Sequence, residues 1–495
     1  MIYSRRTLAH PLFLALAFTS VLGAQAPVQT KPFDRANMDT TCAPCEDFYS
    51  YANGGWLQRA KIPADRSSYG AFDQLFDQNQ ALLREILDTS VVRLKAGQYR
   101  PGTDNYKMAA FYSSCMDTVA IEHLGAAPLK TGFARIAAIN SVADLKRALG
   151  ELEHSYGLAP ISEGSAQDAK DAANTIAGLY QGGLSLPNNE YYSKSDTAST
   201  NLRAKFVDNV AGTFRLVGDD PAKAKAEANT VLAVETQFAK ASRTPIQLRD
   251  VVNNYHGLTL RQVDSLTPNF KWEEFYHALG IAPPQKINVG QPEFFQAFDE
   301  MLTSIPLADW KTLLRWRLIH AAAPSLSTPF VQQDFQFNKL FTGATEISPR
   351  WKRCTNAADN YLGEILGQEF VARKFTPAAK ARAVTIVDNL VRELRSRIEQ
   401  LEWMSPETKQ QALVKLDAFN RKIGYPDKWR DYSKLQITPG GYYANVIAAN
   451  QFLTQRDWAK IGKPTDRTEW GMTPPTVNAY ENPLLNEIVF PAGIL

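Results

Sequence analysis

The sequence is short of cysteine, histidine and net charge, and each shortage removes a class of function. Only six histidines occur in 495 residues: His10, His123, His154, His256, His277 and His320. No two of them lie four residues apart. The HExxH arrangement, which sets two zinc ligands and a general base on one helix face, is therefore absent. A Gly-x-Ser-x-Gly elbow is missing as well, and with it the usual serine-hydrolase signature. So are the Gly-rich phosphate loops of nucleotide-binding proteins. The formal charge is +3, and losing Arg5 and Arg6 with an N-terminal leader leaves +1. A chain so balanced lacks the basic face that nucleic acid requires, so no nucleic-acid partner is expected. No stretch beyond the leader is apolar enough to span a membrane.

What is present begins with that leader. MIYSRRTLAHPLFLALAFTSVLGAQAP has a basic start, an apolar stretch from Pro11 to Gly23 and a small-x-small site at Ala24-Gln25-Ala26. This is the layout of a secretory signal peptide over residues 1–26, and it predicts export to the periplasm or the medium. Four cysteines suit an exported chain that uses disulfides sparingly: Cys42, Cys45, Cys115 and Cys354. They allow three pairings, and spacing does not choose among them. Cys42-Ala43-Pro44-Cys45 is formally CxxC, but it sits in a polar lead-in, residues 27–44, with no second CxxC to complete a zinc knuckle. A local structural role is the expectation there.

From about residue 45 the dominant period is helical, and the predicted class is mainly α. Thr376 and Pro377 read as an N-cap and first-turn proline. They open an apolar series at Val384, Val387, Val391, Leu394, Ile398 and Leu401. Ser405-Pro406-Glu407 starts a second helix that runs out by Gly424-Tyr425-Pro426, and Asp220-Pro221 starts an alanine-rich one reaching about Lys240. Near Pro474-Pro475 the character changes. Thr476–Tyr480 and Glu487–Phe490 read as two short strands around a turn at Asn482-Pro483. The predicted organisation is a helical region over 45–430, a connecting segment over 431–473 and a hairpin over 474–495. A chain of this length should form two or three domains. Glu151-Leu152-Glu153-His154 is the nearest approach to an acidic-histidine cluster, and it reads as a partly exposed helix face.

Several stretches, in order, resemble the neprilysin and endothelin-converting-enzyme family of zinc metallopeptidases. They begin with Cys45-Glu46-Asp47-Phe48-Tyr49, Tyr51-Ala52-Asn53-Gly54-Gly55-Trp56-Leu57 and Tyr69-Gly70-Ala71-Phe72-Asp73. Phe111-Tyr112-Ser113-Ser114-Cys115, Gly183-Leu184-Ser185-Leu186-Pro187 and Arg350-Trp351-Lys352-Arg353-Cys354 follow. Trp403-Met404-Ser405-Pro406-Glu407 and Ile423-Gly424-Tyr425-Pro426-Asp427 come next. The most specific pieces are Asn478-Ala479-Tyr480 and Asn486-Glu487-Ile488-Val489-Phe490-Pro491-Ala492-Gly493-Ile494-Leu495.

The resemblance implies the large helical N-terminal region of an oligopeptide-cleaving zinc enzyme, plus the first hairpin of its thermolysin-like catalytic domain. In that family the Pro-Ala-Gly-Ile-Leu strand precedes the HExxH helix, so the expectation is a chain that stops before its zinc-binding half. Zinc would belong to the complete enzyme; none is expected on this chain, which supplies no catalytic residue and no metal ligand. The same likeness implies that Asn478 and Ala479 grip an extended peptide as an added strand. Phe72 and Ile494 would line the apolar pocket beside the scissile bond or simply belong to the core. Cys115 and Cys354 match a disulfide-linked pair. Cys45 would be free or joined to Cys42, because Asn53 replaces its near neighbour. Ser68 stands where relatives hold an Arg that docks a terminal carboxylate, with Arg66 nearby, and Glu481 replaces an aromatic residue. Expected partners are oligopeptides and a separate chain carrying the zinc half, if the enzyme is split. The rival reading is a non-catalytic peptide-binding protein.

Overall fold

The computed structural model describes residues 34–495. The predicted signal peptide and the lead-in up to residue 33 lie outside the described residues. Two compact units divide the chain, one ending at Lys61 and one spanning Ile62–Leu495. In the first, Asp47 caps the helix Phe48–Arg59 by accepting from the Ser50 N–H at 3.0 Å. Arg59 reaches back to the Ala36 carbonyl at 2.8 Å. Cys42 and Cys45 are not joined to each other.

Helix dominates among the described residues, as predicted, and the anticipated starts are built as their residue types dictate. Thr376 accepts from Ala379 N at the head of Pro377–Gln400, and Ser405 from Thr408 N at the head of Pro406–Asp417. Asp220 accepts from Ala222 and Lys223 N at the head of Pro221–Ala241. Each places proline first in the helix, where a missing N–H has no consequence. The apolar series on Pro377–Gln400 is only partly used. Val387 is buried, but Val384, Ile386, Leu390 and Leu394 are exposed, and so are Trp403 and Val414 just beyond. This helical pair keeps an apolar face towards solvent, a feature that marks contact surfaces.

Seven strands accompany the helices among the described residues: β1 (Ile161–Asp168), β2 (Asp171–Gln181), β3 (Gly257–Leu258), β4 (Ile287–Val289), β5 (Asn420–Gly424), β6 (Tyr480–Asn482) and β7 (Glu487–Pro491). The first four form one sheet in the order β1-β2-β4-β3, which the helical reading did not anticipate. Its main hairpin, ISEGSAQD and DAANTIAGLYQ, carries few β-branched residues and no clean alternation, so it leaves a weak strand signal. Burial comes from outside the sheet. Helices bearing Trp272, Phe275, Phe295, Trp310 and Trp316 cover it in one continuous core. The Phe270 and Trp272 rings meet edge to face at 4.7 Å.

A second core gathers Leu83, Ile86, Phe111, Tyr112, Leu362, Ile365 and Leu366 around the Cys115–Cys354 disulfide. That bond ties Asp104–Met116 to Arg350–Lys374 across 239 residues of sequence, with Cα atoms 5.7 Å apart. The pairing implied by the family resemblance is thus present. Replacing both cysteines by serine should lower unfolding free energy by about 2–5 kcal/mol, read as a lower urea midpoint. An unchanged midpoint would show that the cross-link constrains nothing.

Two half-buried carboxylates border the larger core. Trp458 Nε1 donates to Glu163 at 2.9 Å, and Ala159 N donates to Glu153 at 2.6 Å. Burial pushes Glu163 up to about 8, with the neighbouring Glu153 charge adding to it, and burial pushes Glu153 up to about 7. The native state therefore holds protons that the unfolded chain releases near the ordinary value of 4.5. Their contribution to stability is complete below that value and is lost as pH rises through the two raised values. Urea unfolding across this range should show stability falling with pH, and Glu163→Gln should flatten the upper part of the fall. An unaltered slope in that variant would assign the effect elsewhere.

Candidate functional site

The second sheet runs in the order β5-β7-β6, with β5 parallel and β6 antiparallel to β7. The expected hairpin is present, but its first strand is Tyr480–Asn482 rather than Thr476–Tyr480, and Pro483–Asn486 forms the turn. Residues 476–479 lead into the strand instead of pairing within it, because the two prolines before them and the anchors described below hold their backbone elsewhere. A third strand, β5, comes from the stretch expected to end a helix. Its Lys422 Nζ meets Glu487 Oε2 at 2.7 Å, both side chains being buried, and also donates to the Glu469 carbonyl at 2.6 Å. Asn420 adds a bond to the same Glu487 oxygen at 3.1 Å.

In this order β6 is an edge, and Asn478 and Ala479 stand immediately before it. Asn478 is exposed, and its Oδ1 accepts from Ala479 N at 2.8 Å. That contact leaves the amide NH2 to face outward from an edge that can accept an added strand.

The approach to the edge is fixed from beneath by the helices Ala71–Lys95 and Arg350–Lys374. Gly363 and Gly367, one turn apart, form a seat for Thr473 and Pro474: a Cβ at Gly363 would lie 2.3 Å from Thr473 Cγ2, and one at Gly367 2.7 Å from Pro474 Cδ. Thr473 Oγ1 donates to Asp359 Oδ2 at 3.1 Å and contacts Thr476 Oγ1 at 2.9 Å. Asn79, only 3% exposed, donates from one amide nitrogen to two carbonyls, Pro475 at 3.2 Å and Gly493 at 2.9 Å. Gly493 itself lies so close that an added Cβ would fall 2.2 Å from the Pro475 oxygen. The residues before β6 and after β7 are thereby locked to one helix. Burial raises the Asp359 carboxyl to about 7, opposed by the Thr473 hydroxyl.

Phe72 opens the same Ala71–Lys95 helix and is 65% exposed, so the core alternative does not hold for it. Ile494 is half-buried beside Gly493. A cavity of about 430 Å³ brings Asn478 together with Phe76, Asn79 and Asp359, but Phe72, Ala479 and Ile494 do not line it. Arg66 is held by Asp77 at 2.9 Å, Asp73 at 3.4 Å and Asp65 at 3.5 Å, with Lys352 completing the network. Its charge is neutralised locally by these carboxylates. Among the described residues His154 belongs to no group placed to hold a metal ion; its Nδ1 bonds the Leu279 carbonyl at 3.0 Å and its ring stacks on Trp458. Asn79, Asp359 and Thr473 were not singled out from sequence. One signal existed for Asn79: it falls within the three-and-four series Phe76, Asn79, Leu83, Ile86, where an apolar residue belongs.

Residues 44–426 match the model of peptidase family M13. The chain belongs to peptidase family M13. This is the neprilysin and endothelin-converting-enzyme family, as the motifs implied. The chain is 28% identical to human endothelin-converting enzyme 1, over 96% of this chain and 63% of that protein. It is also 28% identical to an endothelin-converting enzyme homolog of Locusta migratoria, over 92% of this chain and 66% of that one. The inhibitor-bound zinc metalloprotease ZMP1 of Mycobacterium tuberculosis superposes with a TM-score of 0.87 at 37% identity, covering 93% of this chain and 70% of that one. The chain thus spans less than two thirds of the length of the curated relatives it matches.

M13 peptidases depend on zinc. Among the described residues no group of three or more His, Cys, Asp or Glu is placed to hold a metal ion. The residues present therefore do not fit a catalytic M13 zinc site, and no chemical step is assigned to them. Asn79→Leu should leave the Pro475 and Gly493 carbonyls unpaired and lower unfolding free energy by about 1–3 kcal/mol. Hydrogen exchange in residues 475–493 should rise in that variant, and unchanged protection there would remove Asn79 from this role.

Proposed function

We propose that this chain forms the peptide-gripping wall of an exported M13 zinc endopeptidase acting on oligopeptides. The observation that carries the reading is the free edge of β6, continued by Asn478 and Ala479 and held rigid by Asn79. An extended peptide laid along it gains main-chain hydrogen bonds from the edge and from the Asn478 amide. The signal-peptide layout of residues 1–26 supports export. No helix among the described residues is long and apolar enough to cross a membrane.

The sequence has no HExxH, so in this reading the zinc ligands come from outside these 495 residues. When bound, zinc polarises the scissile carbonyl and activates water. The exposed apolar face at Val384, Ile386, Leu390, Leu394 and Trp403 supports a covering element, and we take that element to carry the zinc-binding half, in the same polypeptide or in a separate one. Arg66 is already paired and Ser68 is neutral, so internal cleavage suits this wall better than removal of C-terminal dipeptides.

The test is binding of a blocked alanine-rich hexapeptide by the chain, followed by calorimetry. Asn478→Ala should weaken it about tenfold, the value of one or two hydrogen bonds at the edge. Its unfolding midpoint should not move, since the side chain is exposed. Equal affinity for the variant would defeat the assignment.

A further inference from the structure

The cavity beside Asn478 contains acceptors that the fold leaves unused. It is about 430 Å³ in volume, large enough for one long side chain, and lies between Ala71–Lys95, Arg350–Lys374 and the segment 475–478. Asp359 spends one carboxylate oxygen on Thr473, while Oδ1 is buried and has no partner. Gln80, itself buried, donates its amide to Asn356, and its Oε1 is also buried without a partner. Unpaired buried acceptors are uncommon because each forgoes its hydration. Here both belong to residues that line one cavity. The lining holds one acidic residue and no lysine or arginine. The other polar side chains of the wall, among them Asn356, Asn360 and Asn478, are neutral, so nothing in the wall balances the carboxylate with a positive charge.

From this geometry we propose that the cavity is a specificity subsite for a basic side chain, lysine or arginine, of a peptide bound at the Asn478–Ala479 edge. The proposal rests on the peptide-gripping reading above. It adds the substrate class that the reading left open. The chemistry is one of charge: an ammonium or guanidinium brings a positive charge and donors to a wall whose one ionisable side chain is a carboxylic acid. The aliphatic stem of the same side chain suits the rest of the lining, where Phe76, Leu83 and Val477 are apolar. A carboxylate side chain would meet Asp359 as a like charge, and a short apolar one would leave both acceptors buried and unpaired. Asp359 is thus a specificity-determining residue, and Gln80 assists it.

Blocked hexa-alanine peptides carrying one lysine, moved through each position, should be compared with the same peptides carrying norleucine. The measurement is binding to the full chain. At one position lysine should bind about tenfold more tightly than norleucine, as expected for a charge-assisted hydrogen bond. Asp359→Asn should bring that ratio close to one. Asn360→Lys, at the exposed rim, should do the same by placing a resident cation at the cavity without disturbing the core. Asn478→Ala should weaken both peptides and keep their ratio, which separates the subsite from the edge. Lysine and norleucine binding equally at every position would overturn the subsite while sparing the edge; water filling the acceptors gives this result. A ratio that persists in both Asp359→Asn and Asn360→Lys would also overturn it. Failure of every peptide to bind would overturn the edge and the subsite together.

Discussion

The amide of Asn79 is the contact on which the site depends. One nitrogen donates to the carbonyls of Pro475 and Gly493, which flank the two strands β6 and β7. A buried amide has strong reason to stay where its bonds are made, because a lost partner means a buried polar group without hydration. Two segments that could drift apart at a sheet edge are thereby set to the frame of one long helix.

That helix is itself held in several ways. Asp73 bonds the Gly70 N–H at its start, and the Arg66 network ties its first turns to Lys352 on Arg350–Lys374. Further along, the Cys115–Cys354 bond fixes Arg350–Lys374 to the helix ending at Met116, and Leu83 and Ile86 pack into the same core. The chain of constraint runs from disulfide to helix, from helix to Asn79 and Gly363, and from these to the backbone before Asn478. Strain and freedom are thus distributed unequally. The supporting layer is dense and paired, whereas the edge, the Phe72 side chain and the Asp359 cavity keep unused surface. This is how a binding surface differs from a core.

The exposed apolar face of Pro377–Gln400 belongs to the same pattern. Its series has the spacing of a buried helix, yet among the described residues only Val387 is buried, while Val391, Ile398 and Leu401 are half-buried. The larger core, by contrast, is closed around aromatic rings.

Much of the architecture was legible in the residues themselves. Caps such as Thr376, Ser405 and Asp220 announce helices because a side-chain oxygen must meet the first free N–H groups, and that chemistry is local. The motifs around Asn478 and Pro491 identified the family, and the disulfide followed from it. The β1–β4 sheet was not legible, since its polar, small-residue strands are stabilised by distant helices rather than by their own pattern. Nor was β5, whose partner strand lies far along the chain. The support of the site was hidden for the same reason. Asn79 looks like a misplaced polar residue, and Asp359, Gly363 and Thr473 look like nothing in particular, until folding sets them against one another. Sequence by itself determined helical class and family, because each is written in short-range chemistry. Which polar groups are satisfied, and which are left facing a cavity, depends on neighbours hundreds of residues away, and only the tertiary structure decided it.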